Sequence, residues 1–196
     1  LLAALDVDEA VVIHRRQVSG IQPAVADRLG GRGFVLVVAQ HHGVVALGDF
    51  TDLARAFPET TMILDHFGGP LGIGPYRGRG DEVFAEWKGY MTELAKCENA
   101  HVKLGGLAMD VNGFDLHKEP LPPSSGECAR LWRPYFETAI ELFGPDRCMF
   151  ESNFPVDKGA VSYPVVWNAF KRIAAGASAD EKAKLFHDTA KRVYRL

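Results

Sequence analysis

The sequence predicts an α/β fold made of serial βα units, on three observations. From about residue 50, apolar runs of strand length alternate with longer runs whose apolar residues recur at helical spacing. Clusters of glycine and proline punctuate these runs. Three of the strand-length runs stop at loops that hold polar residues, where α/β proteins build their sites. With 196 residues, 47% hydrophobic and 24% charged, the chain can bury one sizeable core and lies far from the composition of a disordered segment.

Asp49 or Thr51 caps a short helix through Ala56, and Pro58 ends it. Thr60 to Asp65 is a strand stopped by Gly68-Gly69-Pro70, and the stretch on to Gly80 is a long loop. Asp81 caps the next helix, whose Val83, Phe84, Trp87, Met91, Leu94 and Ala95 share a face through about Lys96. Ala100 to Leu104 is a strand closed by Gly105-Gly106. Ala108 to Ser125 carries Pro120, Pro122 and Pro123 and is a second long loop, too rich in breakers for regular structure. Ser124 or Ser125 starts a helix that ends at Gly144-Pro145. Arg147 to Ser152 is the third strand, and Tyr163 to Ala175 is a helix. Ser178, with Glu181 three residues on, forms a capping box for a last helix through about His187, and the tail from Thr189 reads as helical. Residues 1–48 differ: Val11 to Ile13 and Phe34 to Ala39 are strand candidates with no helix pattern between them.

Composition narrows the partners. Lys plus Arg number 22 against 25 Asp plus Glu, a net charge of −3, which argues against nucleic acid or an anionic membrane held by bulk charge. A small-molecule substrate is expected instead. No apolar run approaches the roughly 20 residues that span a bilayer, so no membrane partner is expected. The start, Leu1 to Leu5, lacks a basic segment and meets Asp6 and Asp8 at once, which makes a poor signal peptide. Without an initiating Met, the expectation is a chain that begins inside a longer reading frame. Cys97, Cys128 and Cys148 are widely separated and lack CxxC spacing, so neither a disulfide framework nor a zinc finger is indicated and a cytoplasmic setting is expected.

The chemistry collects at three strand ends. Period-two alternation puts His66, Leu64 and Met62 on one face and Asp65 and Ile63 on the other. A lone His after a strand is more often structural than functional, but Gly68-Gly69 lets backbone approach a ligand there. Lys103 faces away from Val102 and Leu104; on an edge it would be solvated, and inside a closed barrel it would need a buried anion. Met149, Glu151 and Asn153 share a face, and Glu151, buried there, would need a cation or a metal. On this alternation Lys103 and Glu151 are expected to pair one layer below the site, as structural residues. Tyr76 and Arg147 are candidates to hold a substrate carboxylate by location alone. A nucleotide loop over Gly68 to Gly80 is disfavoured, since Pro70 and Pro75 interrupt it and no helix follows the glycines directly.

MILDHFGGPLG, HVKLGG and RCMFESNFPVDK, followed by EKAKLFHDTAKRVYRL, resemble amidohydrolase family 2, in the branch similar to sugar-acid and 2-pyrone-4,6-dicarboxylate lactonases. The resemblance covers about residues 50–196. It implies the C-terminal part of a distorted (β/α)8 TIM barrel of the metal-dependent hydrolase type, with residues 49–196 as its βα units and 1–48 as a remnant of earlier barrel strands. On that mapping the three strands are the sixth, seventh and eighth. It further implies a hydrolase in which water attacks a small carboxylated lactone or cyclic ester, with His66 and Asn153 as the catalytic positions. The cofactor is left open between one divalent metal such as zinc, with His66 as a ligand if it is bound, and none, as in lactonase-like members.

Two departures weigh against activity. The His-x-His pair of the family's first strand is missing, since His41-His42 are adjacent and cannot share a strand face. Asn153 stands where the family usually has Asp, and an amide has no carboxylate to take a proton. The rival expectation is therefore a truncated or non-catalytic barrel that binds a ligand. Uncovered barrel edges would favour a homo-oligomer.

Overall fold

The computed structural model describes residues 10–12, 35–38 and 45–196; His41 and His42, and the interval between the first two strand candidates, lie outside the described residues. Strands β1 (Ala10–Val12), β2 (Val35–Val38), β3 (Thr61–Leu64), β4 (Ala100–Leu104) and β5 (Cys148–Phe150) form one sheet in the order 1-2-3-4-5. Every neighbouring pair is parallel. Strands adjacent in sequence and parallel in space require crossover connections, and from β2 to β5 helices supply them.

The crossover helices are α1 (Val45–Ala56), α2 (Gly80–Ala95) and α3 (Ser125–Phe143); after β5 come α4 (Tyr163–Ile173), α5 (Ala179–Ala183) and α6 (Thr189–Tyr194), the last two joined by a π-helical turn, Lys184–Asp188. The caps expected for α3 and α5 are present: Ser124 Oγ accepts from the Glu127 N–H at 3.2 Å, and Ser178 and Glu181 close a capping box. The helix before β3 starts earlier than expected, at Val45. Thr51 lies inside it and donates its hydroxyl to the Leu47 carbonyl at 2.8 Å, so it caps nothing. Asp81 is likewise within the first turn of α2, where its charge suits the helix N-terminus. The long loops hold single 3-10 turns at His66–Gly68, Gly74–Tyr76, Asp110–Asn112 and Leu116–Lys118, more local order than their breakers suggested.

Strand alternation sorts the core. Met62, Leu64, Val102, Leu104, Cys148 and Phe150 face the helices and pack with Leu47, Phe50, Trp87, Met91, Trp132, Phe136 and Phe170, all buried. At about 1.5–3 kcal/mol for each fully buried large apolar side chain, this layer dominates the fold. The opposite face is thinner: Ile63 and Met149 pack with Val193 of α6, flanked by Ala190 and Tyr194. Polar residues emerge from this second face at the carboxyl ends of the strands. Among the described residues no helix is long and apolar enough to cross a membrane.

Candidate active site

The register decides which charges meet. Leu64 is level with Val102, so the next residue along, Asp65, falls beside Lys103. Lys103 is level with Met149, and the β4–β5 ladder runs on with the Glu151 N–H donating to the Leu104 carbonyl at 3.1 Å, which sets Glu151 one step above Lys103. Lys103 Nζ accordingly lies 2.9 Å from Asp65 Oδ1 and 3.8 Å from Glu151 Oε2. The expected Lys103–Glu151 pair exists as the longer of two contacts. The closer partner is Asp65, because parallel neighbours are matched by register and not by distance from their terminal glycine or asparagine. Burial disfavours the ammonium, yet the Asp65 and Glu151 carboxylates hold the Lys103 pKa well above its ordinary value. Burial raises Asp65, with Lys103 opposing it.

His66 does not follow strand alternation. Continued past Leu64, a strand would send it toward the helices with Met62 and Leu64. Instead His66 and Phe67 adopt φ of 53° and 56°, the left-handed region, which costs on the order of 1–2 kcal/mol per residue. The turn brings His66 Nδ1 within 2.5 Å of Glu151 Oε1, and the His66 backbone N–H also donates to that oxygen at 3.3 Å. Phe67 goes the other way, into the helical core against Trp87 and Phe136, and Trp87 Nε1 donates to its carbonyl at 2.7 Å. Core packing thus holds the strained turn in place. Burial disfavours the imidazolium, but the hydrogen bond and charge of Glu151, with Asp65 behind it, outweigh burial and raise the His66 pKa above its ordinary value.

Gly105 and Gly106 make the room. A Cβ on Gly105 would lie 2.5 Å from Glu151 Cγ, and one on Gly106 would lie 2.8 Å from His66 Nδ1. The glycines that close β4 are therefore the floor on which His66 and Glu151 meet.

Asn153 also has a left-handed backbone, φ 51°, and its Nδ2 donates to Asp157 Oδ1 at 2.7 Å. Asp157 is buried, and burial pushes its pKa up to about 6 against the Asn153 hydrogen bond; the charges of His66 and Glu151 reach it too. Sequence reasoning missed both Asp65 and Asp157. Alternation put Asp65 with Ile63 on the face opposite Leu64, and the fold makes that face the inner one, whereas nothing local marks Asp157.

Tyr76 is half-buried in its 3-10 turn on the loop after β3. Arg147 is no carboxylate binder. It precedes β5, at the opposite end of the sheet from the site, and its guanidinium donates to the carbonyls of Phe143, Ala95 and Cys97 at 3.0, 3.0 and 2.9 Å. It closes the open carbonyls at the ends of α2 and α3. The loops after β3 and β4 are sewn together above the sheet: Gly72 N–H donates to the Val111 carbonyl at 2.8 Å, and Asn112 Nδ2 to the Pro70 carbonyl at 2.9 Å. Among the described residues no three His, Cys, Asp or Glu side chains converge as a metal-binding group, and Glu151 already occupies Nδ1 of His66. The described residues do not build a metal centre.

The family described as Amidohydrolase matches residues 27–196. An uncharacterised protein of Sinorhizobium fredii is 40% identical over 148 residues, 76% of this chain and 43% of its own length. An L-fucono-1,5-lactonase of Burkholderia multivorans is 32% identical over 136 residues, 69% of this chain and 43% of its own length. Among solved structures, an amidohydrolase of Burkholderia multivorans with bound HEPES superposes with a TM-score of 0.70 at 29% identity, covering 83% of this chain and 53% of that one. An amidohydrolase 2 of Bifidobacterium longum subsp. infantis shares the fold, with a TM-score of 0.63 at 18% identity, covering 96% and 61%. The chain thus spans 43% of the length of the two curated relatives. These matches bear out the resemblance read from the strand-end motifs, and the described sheet is part of an α/β barrel.

Proposed function

Because the chain belongs to the amidohydrolase family, we propose that it supplies the carbonyl-activating part of a hydrolase that opens a small carboxylated lactone or cyclic ester. The observation that carries this reading is the 2.5 Å contact between His66 Nδ1 and Glu151 Oε1 at the carboxyl ends of two strands. A carboxylate on Nδ1 orients the ring and favours its protonated form, so that Nε2–H is the donor left for chemistry. Donated to a lactone carbonyl, it stabilises the negative charge that forms on oxygen as water adds to carbon. Asn153 orients that water. The lactonase among the relatives supports a lactone, a cyclic ester, as the substrate class.

The test is acid release, followed at constant pH, from L-fucono-1,5-lactone, L-rhamnono-γ-lactone and 2-pyrone-4,6-dicarboxylate. At least one should open faster than in buffer. His66→Asn, which tolerates the left-handed backbone, should slow it by about 10²–10⁴-fold. No acceleration on any of the three, or a His66→Asn variant as fast as wild type, would overturn the proposal.

A further inference from the structure

We infer that Asp157 is a positioning residue that pins the Asn153 carboxamide, turning its Oδ1 toward the site as the hydrogen-bond acceptor for the attacking water. The inference rests on the hydrolase reading for the water, and on geometry alone for the pinning. Asp157 is 2% exposed and is held to Asn153 twice: its carboxylate accepts from Asn153 Nδ2 at 2.7 Å, and its own N–H donates to the Asn153 carbonyl at 3.1 Å. An ionised carboxylate can only accept, so the amide nitrogen must face it and the amide oxygen must face the other way. The left-handed backbone of Asn153, φ 51°, sets the side chain at the end of its strand, where it is partly exposed. An amide lacks the basicity of the family's Asp at this place; it can offer water an acceptor, and only if something fixes which end points outward.

Asp157 does this at a cost. Its contacts are neutral ones, the Asn153 amide and the Ala108 backbone, while the charged groups that reach it are His66 and Glu151, with Asp65 and Lys103 coupled to those two. Burial lifts its pKa to about 6. Protonated, Asp157 becomes a donor and can donate to Asn153 Oδ1 in place of accepting from Nδ2. The carboxamide is then free to flip, and the acceptor is lost.

The experiment has two arms on the whole chain. In the first, the Asn153 side-chain amide is followed by ¹⁵N NMR, assigned by its loss in Asn153→Ala. In wild type its signals should step with a midpoint near pH 6, and in Asp157→Asn the step should vanish. Signals that ignore pH between 5 and 7, or that titrate unchanged in Asp157→Asn and so report His66 instead, overturn the pinning. A wild-type signal that ignores pH overturns the pinning even if the variant fails to fold. In the second arm, Asp157→Asn should lower kcat about tenfold with KM within about twofold, and the acid limb of the profile near pH 6 should disappear. A raised KM with kcat unchanged would place the amide on the substrate and overturn the water assignment. If wild type opens no lactone while Asn153 still titrates with Asp157, the hydrolase reading and its water fail, and the pinning stands.

Discussion

Gly106 and His66 share a space that one methyl group would fill. Gly106 has φ +78°, and a Cβ there would meet Nδ1, Cγ and Cβ of His66 at 2.8, 2.9 and 3.0 Å. Gly74, at φ +57°, has a similar backbone but nothing within 4 Å of its would-be Cβ. Gly74→Ala should therefore cost only the left-handed backbone penalty, about 1–2 kcal/mol in a denaturant titration. Gly106→Ala adds displacement of His66, and should cost more stability and at least about tenfold in kcat. Equal losses in the two variants would show that His66 can move aside freely.

Glu151→Gln tests the dyad without changing shape. In wild type the folded-state pKa of His66 is raised, so its contribution to stability is full below the unfolded value near 6.5 and is lost as pH rises through the folded pKa. With Gln at 151, burial dominates and the His66 pKa should fall below its ordinary value, seen in the ring C–H resonances. The stabilisation at low pH, about 1.5–3 kcal/mol for a hydrogen bond to a charged group, should go with it. A His66 pKa unmoved by the substitution would remove Glu151 as its cause.

Lys103 is the cation set between buried Asp65 and partly buried Glu151. Lys103→Met leaves two carboxylates facing each other without it, and a loss of about 3–5 kcal/mol in the unfolding free energy is expected. Adding Asp65→Asn should restore a substantial part. A double variant no more stable than Lys103→Met would mean that Lys103 acts by packing against Tyr194, whose ring centroid is 5.8 Å from Nζ, and not by charge.

At the other end of the sheet, burial pushes the His101 pKa down to about 4, with the charges of Arg192 and Arg147 adding to the effect. A base whose folded pKa is depressed contributes stability above its unfolded value near 6.5, and that stability is lost as pH falls from about 6.5 to about 4. At about 1.4 kcal/mol per pKa unit, the loss is on the order of 3 kcal/mol. Asp157, whose pKa is raised to about 6, works in the opposite sense over part of that window, so the comparison must be between variants. His101→Gln should flatten the decline in melting temperature between pH 6.5 and 4; an unchanged decline would assign it to other groups.

Local rules in the sequence determined the elements and the faces. Period-two alternation separated Met62, Leu64, Val102 and Leu104 from Ile63, Lys103, Met149 and Glu151, and the helix caps at Ser124 and Ser178 stood where serine chemistry put them. Both depend on residues a few positions apart, so they are legible without a fold. Only the tertiary structure decided the site. The left-handed turn at His66 reverses the direction that alternation assigned, and it is held from a distance by Phe67 in the helical core. Register between chain segments some 40 residues apart set Lys103 beside Asp65, with Glu151 one step above. Arg147 turned out to serve helix carbonyls, and Asp157 joined Asn153 through a loop that carries no pattern. Periodicity records which side of its own strand a residue occupies; which neighbours it meets depends on register and loop conformation, and these are energies of the whole packed chain.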